Sequence, residues 1–231
     1  MKGFVVSDLH LFSRWSSLEK NDEIIRSYLK TSDIFVFNGD IFDFKWTIHG
    51  SIKSSIEIAL NWLSQLCNDF PDCRFVFIFG NHDSHKEFVS AISDFVKNKK
   101  NFEYHLAYVQ IGSNLFLHGD IPIMIKGSSL LKRERFLTKK PKNIFISYLY
   151  YFLISMRAHN FISFYFTPER SARIIHNAII KEKKKFEDSI KDVYFGHTHA
   201  AFEAFIIGGI CYHNSGALIN KQKFSILPVS C

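Results

Sequence analysis

One short stretch in the first half of the chain constrains the fold more than any other. Residues 74–79 form a β-rich run that is apolar after its first residue, and Gly80-Asn81-His82-Asp83 follow at once. A run of this length predicts a buried strand that delivers polar side chains at its carboxyl end. Open sheets bind their ligands at such strand ends. The stretch therefore predicts a sheet whose edge carries a functional site.

Four other stretches repeat this order of apolar strand, small residue and potential metal ligand. They are Ser7-Asp8-Leu9-His10, Asn38-Gly39-Asp40, His118-Gly119-Asp120 and Gly196-His197-Thr198-His199. Five such stretches in one chain are much harder to obtain by accident than any single one. Helical spacing in 21–29, 52–66 and 88–96 separates the early strands, which indicates βαβ units and a sheet covered on both faces. Later residues favour strands, with a hairpin at 204–212 and a last strand at 224–229.

Composition limits the class of protein. With 231 residues, 47% of them hydrophobic, the chain predicts one folded domain with a large core and an insertion. The four cysteines, which form no CxxC pair, are interpreted as free thiols of a reducing compartment. Because Asp8 follows the first strand too closely for a signal peptide, we expect a cytoplasmic protein. The cysteines are Cys67, Cys73, Cys211 and Cys231.

The net charge of +7 is concentrated in one segment. Residues 126–185 contain 14 Lys and Arg against 3 Asp and Glu, a net +11, and the remainder contains 15 against 19, a net −4. The segment also has an aromatic apolar run at 144–156, and Thr167-Pro168-Glu169 predicts a helix start. We therefore divide the chain into a core, 1–120 and 186–231, and a basic, aromatic helical insertion, 121–185.

The five stretches supply side chains suited to a pair of divalent ions. Aspartate with neutral imidazole suits Mn, Fe or Zn. Asp-x-His and His-x-His in extended backbone place both side chains on one face, and Gly39 allows a sharp turn before Asp40. If the Asp40 carboxylate bridges the two ions, each ion receives four ligands. This is the arrangement of two-metal centres whose ions lie ~3.5–4 Å apart and clamp a phosphoryl group. The seven candidates are Asp8, His10, Asp40, Asn81, His118, His197 and His199.

The ordered series D-x-H, G-D, G-N-H-D, H-G-D and G-H-x-H resembles that of the calcineurin-like metallophosphoesterases. Over residues 8–199 the resemblance implies a mixed α/β (α+β) fold, a four-layered α-β-β-α sandwich with a helical lid at 121–185. It implies two divalent ions, with Mn favoured over Fe or Zn, and His82 as the catalytic residue that contacts the phosphate or protonates the leaving oxygen. The first ion would be held by Asp8, His10, Asp40 and His199, and the second by Asp40, Asn81, His118 and His197. We interpret Asp43, Asp83 and Asp120 as partners of the ligand histidines and of turn backbone.

Within this superfamily, the stretches 7–11, 39–44 and 118–120 look most like the bacterial UDP-2,3-diacylglucosamine pyrophosphohydrolases of lipid A synthesis. The resemblance implies a nucleotide-linked lipid substrate. The run at 144–154 is too short to span a bilayer but suits an interface or an acyl pocket, and its basic flanks favour an anionic membrane surface on the inner face. Two features depart from that family, which often has Arg where His82 stands and Asp near Ile125-Lys126.

Two other functions stay open at this point. A nucleotide or nucleic-acid phosphodiesterase would use the +11 segment on phosphate backbones. Its aromatic residues form one apolar block, however, and are not spaced among the basic ones. A noncatalytic scaffold with the same fold is the second alternative, and the complete ligand set with His82 argues against it.

Overall fold

The computed structural model describes residues 1–16, 18–120, 167–182, 186, 190–219 and 222–230, which form two five-stranded sheets and four helices. In chain order the elements are β1 (Lys2–Val6), α1 (Leu18–Leu29), β2 (Ile34–Asn38), α2 (Ile52–Asp69), β3 (Arg74–Ile78), α3 (Lys86–Val96), β4 (Phe102–His105), β5 (Tyr108–Ile111), β6 (Asn114–Leu117), α4 (Pro168–Lys181), β7 (Asp192–Phe195), β8 (Phe202–Ile207), β9 (Ile210–Asn214) and β10 (Leu227–Ser230).

The first sheet has the strand order β10-β1-β2-β3-β4. Strands β1 to β4 are mutually parallel, and β10 pairs with β1 antiparallel at one edge. Parallel neighbours require crossover connections, which α1, α2 and α3 provide, so the predicted βαβ units are confirmed. The carboxyl ends of β1, β2 and β3 therefore lie along one edge, and Asp8, Asp40 and Asn81 follow those ends.

The second sheet has the order β5-β6-β7-β9-β8. Its three central strands, β6, β7 and β9, are parallel to one another. Their carboxyl ends also share one edge, which places His118, Gly196 and Asn214 side by side. The predicted hairpin is the β8–β9 pair. The two edges meet, because the Asn38 side-chain amide donates to the Tyr194 carbonyl at 3.0 Å.

Three apolar layers hold the elements together. An aromatic core that includes Phe37, Phe77 and Trp62 lies between the first sheet and its helices. A second layer of mainly β-branched residues separates the two sheets, and a third lies between the second sheet and α4. The layers therefore run α-β-β-α, and the predicted four-layered sandwich is confirmed.

Helix α4 begins where the sequence predicts. The Thr167 side chain accepts a hydrogen bond from the backbone N–H of Arg170, and Pro168 occupies the first turn. Its residues Ala172, Ile175 and Ile179 are buried against the second sheet, so this helix belongs to the fourth layer although it falls within 121–185. Of the other residues in that segment, only Thr167 and Glu182 are described, and the apolar run at 144–156 lies outside the described residues.

The last strand begins later than predicted. Strand β10 starts at Leu227, and Phe224 makes only an isolated bridge with Gly216. The reason is that the backbone N–H of Ser225 donates to the Ser215 carbonyl at 2.9 Å, so the chain here pairs with a turn before it reaches β1. Within the described part of the chain, no helix is long and apolar enough to cross a bilayer.

Candidate metal centre

The turns that follow the strands have an uncommon backbone conformation. Positive φ values occur at five of the seven predicted ligands. For a residue other than glycine this backbone conformation costs about 1–3 kcal/mol, and it persists only if the surrounding structure fixes it. The predicted extended geometry of Asp-x-His and His-x-His is therefore wrong, and tight turns bring these side chains together. The values are +53° for Asp8, +46° for His10, +52° for Asp40, +64° for His197 and +58° for His199.

Glycines allow the backbone to approach the predicted ligands closely. A Cβ at Gly80 would overlap the Asp40 carboxylate, and one at Gly196 would overlap that of Asp8. At Gly39, where φ is +86°, a Cβ would overlap the His118 ring. The small residue in these motifs is thus required by packing against the potential ligands.

The first group of potential ligands contains Asp8, His10 and His199. His10 Nε2 lies 3.4 Å from His199 Nε2 and 3.8 Å from Asp8 Oδ1, and His199 Nε2 lies 3.4 Å from the same Asp8 oxygen. The other nitrogen of His10, Nδ1, lies 3.3 Å from Asp43 Oδ2. A carboxylate on Nδ1 fixes the ring so that Nε2 faces the group, as in many metal sites.

The second group contains Asp40, His118 and His197. His118 Nε2 lies 3.1 Å from Asp40 Oδ2, and the His118 and His197 rings meet edge to face at 5.3 Å. On its other side, His118 Nδ1 is 3.2 Å from the Asn38 carbonyl oxygen. That oxygen can only accept, so Nδ1 carries the proton and Nε2 is available to a cation in the neutral ring.

His82 lies between these two groups. Its ring is edge to face with that of His10 at 4.7 Å, and it forms a further potential ligand group with His10 and Asp40. The backbone N–H of His82 donates to Asp40 Oδ1 at 2.7 Å. Its Nδ1 lies 3.0 Å from Asp43 Oδ1. One carboxylate, Asp43, therefore lies beside both His10 and His82.

The donor set fits divalent cations. Asn81, which follows Gly80, has a buried amide oxygen without a hydrogen-bond partner among the described residues. A buried polar atom left in this state is costly, and a cation would satisfy it. The Asp and His groups described above contribute two buried carboxylates, Asp8 and Asp40, and imidazoles that suit Mn, Fe or Zn. The structure thus brings the carboxylate and histidine candidates together and leaves the Asn81 oxygen available.

The charges in the site depend strongly on one another. Burial alone would lower the pKa of His118, but the carboxylates of Asp40 and Asp8 raise it to about 10. The two carboxylates therefore favour a second proton on His118, at Nε2, and that proton must leave before Nε2 can bind an ion.

The three other predicted carboxylates have different surroundings. Asp83 accepts the backbone N–H of Gly80 at 2.6 Å and that of Ile41 at 2.8 Å, so it joins the two turns. Burial and the charge of Asp40 raise the pKa of Asp83 to about 7. Asp43 also accepts the backbone N–H groups of Lys45 and Trp46. The charge of Asp120 contributes to the raised pKa of His118, which places it close to the second group.

Two asparagines near the site were missed by the sequence analysis. Asn38 orients His118 through its carbonyl, and the Asn214 amide bonds to Gly196 O and Thr198 Oγ1. Each is the last residue of a strand and directly precedes a small residue, next to the positions that identified the potential ligands. An asparagine there also suits an ordinary turn, so the sequence alone does not distinguish an asparagine that supports the site from one that only forms a turn.

A further group, Asp192, Cys211 and His213, lies on the neighbouring strands β7 and β9. His213 Nε2 is 2.9 Å from Asp192 Oδ1, and its Nδ1 accepts the backbone N–H of Ala204 at 3.3 Å. Both ring nitrogens are therefore engaged, with the proton on Nε2. Burial and then the charge of Asp192 raise the pKa of the Cys211 thiol. This arrangement is that of a structural His–Asp pair.

Comparison with known proteins agrees with this geometry. The family model of calcineurin-like phosphoesterases matches residues 1–201, which include all seven predicted ligands. A dimetal phosphatase from Danio rerio has a similar structure, with a TM-score of 0.51 over 95% of this chain and 88% of that one; at 11% identity the likeness shows the fold alone. No curated protein matches the sequence. The match over most of its length shows that the chain belongs to the calcineurin-like phosphoesterase family, whose members are metal-dependent phosphoesterases.

Proposed function

We propose that this chain hydrolyses phosphoester or pyrophosphate bonds at a centre of two divalent ions. The observation that carries the proposal is the position of Asp40, whose carboxylate belongs both to the group with His118 and to the group with His10. When bound, two such ions polarise a phosphoryl group and lower the pKa of a water molecule. One ion is assigned to Asp8, His10, Asp40 and His199, and the other to Asp40, Asn81, His118 and His197.

We further propose that His82 acts on the substrate phosphate or on the leaving oxygen. Burial alone would lower the pKa of His82, but the charges of Asp43 and Asp40 raise it above its ordinary value. With Nδ1 held beside Asp43, the remaining ring nitrogen can donate to a phosphate oxygen or protonate the leaving oxygen. Either action would make His82 a catalytic residue.

The proposed substrate is a nucleotide-linked lipid of the UDP-2,3-diacylglucosamine type, and the proposed ions are Mn. The motif resemblance and the basic, aromatic segment support an acylated substrate and a peripheral position on the inner membrane face. Apolar side chains near the site also support it, since Trp15 and Ile48 are 37% and 60% exposed on the loops that follow β1 and β2. The two loops are joined by a hydrogen bond from the Ile48 N–H to the Phe12 carbonyl at 2.9 Å.

Replacing Asp40 with alanine should abolish turnover and weaken the binding of both ions, because one carboxylate serves two cations. The protein should also lose the thermal stability that bound metal confers. Metal content by mass spectrometry and turnover of an aryl phosphodiester with Mn measure these effects. Asp94→Ala is the matched control, since this exposed carboxylate pairs only with Lys97 in the described contacts. Two metals per chain with normal turnover in Asp40→Ala would remove Asp40 from the bridging position.

Replacing His82 with alanine should leave both ions in place while turnover falls about 10²–10⁴-fold, the usual range for a positioned acid or base. His105→Ala removes a histidine whose described partner is Glu103 on the same strand, and it should change neither quantity. A metal content that falls in step with turnover would make His82 a ligand and refute its proposed function.

The substrate proposal is tested on the apolar run at 144–156. Changing Leu149 and Phe152 to Asp should abolish association with anionic liposomes and also hydrolysis of a diacylated nucleotide sugar. The reason is that burial of the acyl chains of that substrate is worth ~0.8 kcal/mol per CH₂. Hydrolysis of a small soluble phosphodiester should survive, because all seven proposed ligands lie elsewhere. Leu106→Asp, at a side chain 51% exposed, is the control for added charge.

Equal losses on both substrates would show that the run at 144–156 is needed for the fold and would refute the lipid proposal. Oligonucleotide binding whose log affinity falls linearly with log salt, with cleavage of the oligonucleotide, would instead favour the nucleic-acid phosphodiesterase.

A further inference from the structure

The end of β9 carries an asparagine, Asn214, whose side-chain hydrogen bonds all go to turn residues. Asn214 is 1% exposed. Its side-chain amide donates to the Gly196 carbonyl and to Thr198 Oγ1, both at 3.1 Å. Its side-chain oxygen accepts the backbone N–H of Gly216 at 2.9 Å. Both amide donors and one acceptor position are therefore engaged, and the side chain is held in one orientation.

The turn that Asn214 contacts is the strained one that carries two proposed ligands. Thr198 lies between His197 and His199, whose φ values are both positive. Within the turn, the Thr198 N–H donates to the Gly196 carbonyl at 2.7 Å. Strained residues of this kind keep their conformation only when neighbouring groups fix it. Asn214 bonds to the turn at two points, on either side of His197.

The same segment also reaches the turn of the first sheet. Ser215 Oγ accepts the backbone N–H of Ser7 at 3.1 Å and lies 2.7 Å from Ser7 Oγ. The Leu218 N–H donates to the Asp8 carbonyl at 3.0 Å. The His197 N–H in turn donates to both oxygens of Asp8, at 3.0 and 3.1 Å. Residues 214–218, at the end of β9 and just after it, thus bind a ligand-bearing turn on each sheet.

We propose that Asn214 is a positioning residue that sets the distance between Asp8 on the first sheet and His197 and His199 on the second. It does so by fixing the turn of the second sheet against the segment that also binds the Asp8 turn. Asn214 is not itself a ligand, because its amide atoms are used in these contacts. It lies beyond residue 201, where the family match ends. The inference rests on the proposed function, since it concerns the affinity of the proposed metal centre.

The test compares Asn214→Ala with Asn101→Ala. Asn101 is a matched control, because its amide donates to the carbonyls of Cys67, Phe70 and Cys73 near the amino end of β3, at the other end of the first sheet. Thermal unfolding in chelator should show a loss of stability in both variants. Titration of the metal-free chains with Mn should show an affinity weakened about 10–100-fold in Asn214→Ala, the usual effect of removing a group that orients ligands. The affinity of Asn101→Ala should not change.

Thr198→Val is the milder second variant, and it decides the question if Asn214→Ala does not fold. It removes one of the two bonds to the turn at nearly constant shape and should weaken Mn binding about tenfold, the lower end of that range. Unchanged Mn affinity in the folded variants, while the unmodified chain binds two ions, would overturn the inference alone. An unmodified chain that binds no divalent ion would overturn the proposed function and the inference with it.

Discussion

The arrangement of the site depends on the buried carboxylate of Asp40, which contacts two of its histidines. It lies 3.1 Å from His118 Nε2 and accepts the backbone N–H of His82 at 2.7 Å. Removing an ionised carboxylate from water costs several kcal/mol, so such a group requires donors or cations on every side. Burial would raise the pKa of Asp40, but the charges of His118 and His82 hold it well below its ordinary value. The proposed ions would compensate the same charge more fully.

The two sheets make this concentration of charge possible. Parallel strands bring their carboxyl ends to one edge, and here the edge of each sheet faces that of the other. Contacts across the junction are short, because Gly196 has no side chain between its backbone and the Asp8 carboxylate, and Gly39 has none beside the His118 ring. Hydrogen bonds from Asn38 and His197 then join the first sheet to the second. The fold therefore determines which residues can share an ion.

The sequence predicted the fold, and it predicted that the Asp and His candidates would lie together at the strand ends, because both depend on local patterns. An apolar run that ends in a small residue and a polar one predicts a strand end, whatever the strand pairs with. The conformation of the ligands was not predictable in this way, and the extended geometry expected for Asp8 and His10 was wrong. Their positive φ values are maintained by contacts with residues that are distant in the sequence, such as the bonds between Asp8 and His197. The contribution of Asn214 depends on the register of β7 and β9, which no local pattern specifies.

The central claim is that two ions share Asp40, and anomalous diffraction from crystals grown with Mn measures this most directly. The account predicts two Mn peaks per chain about 3.5–4 Å apart, both within bonding distance of the Asp40 carboxylate. A single peak, or two peaks of which only one contacts Asp40, would contradict it.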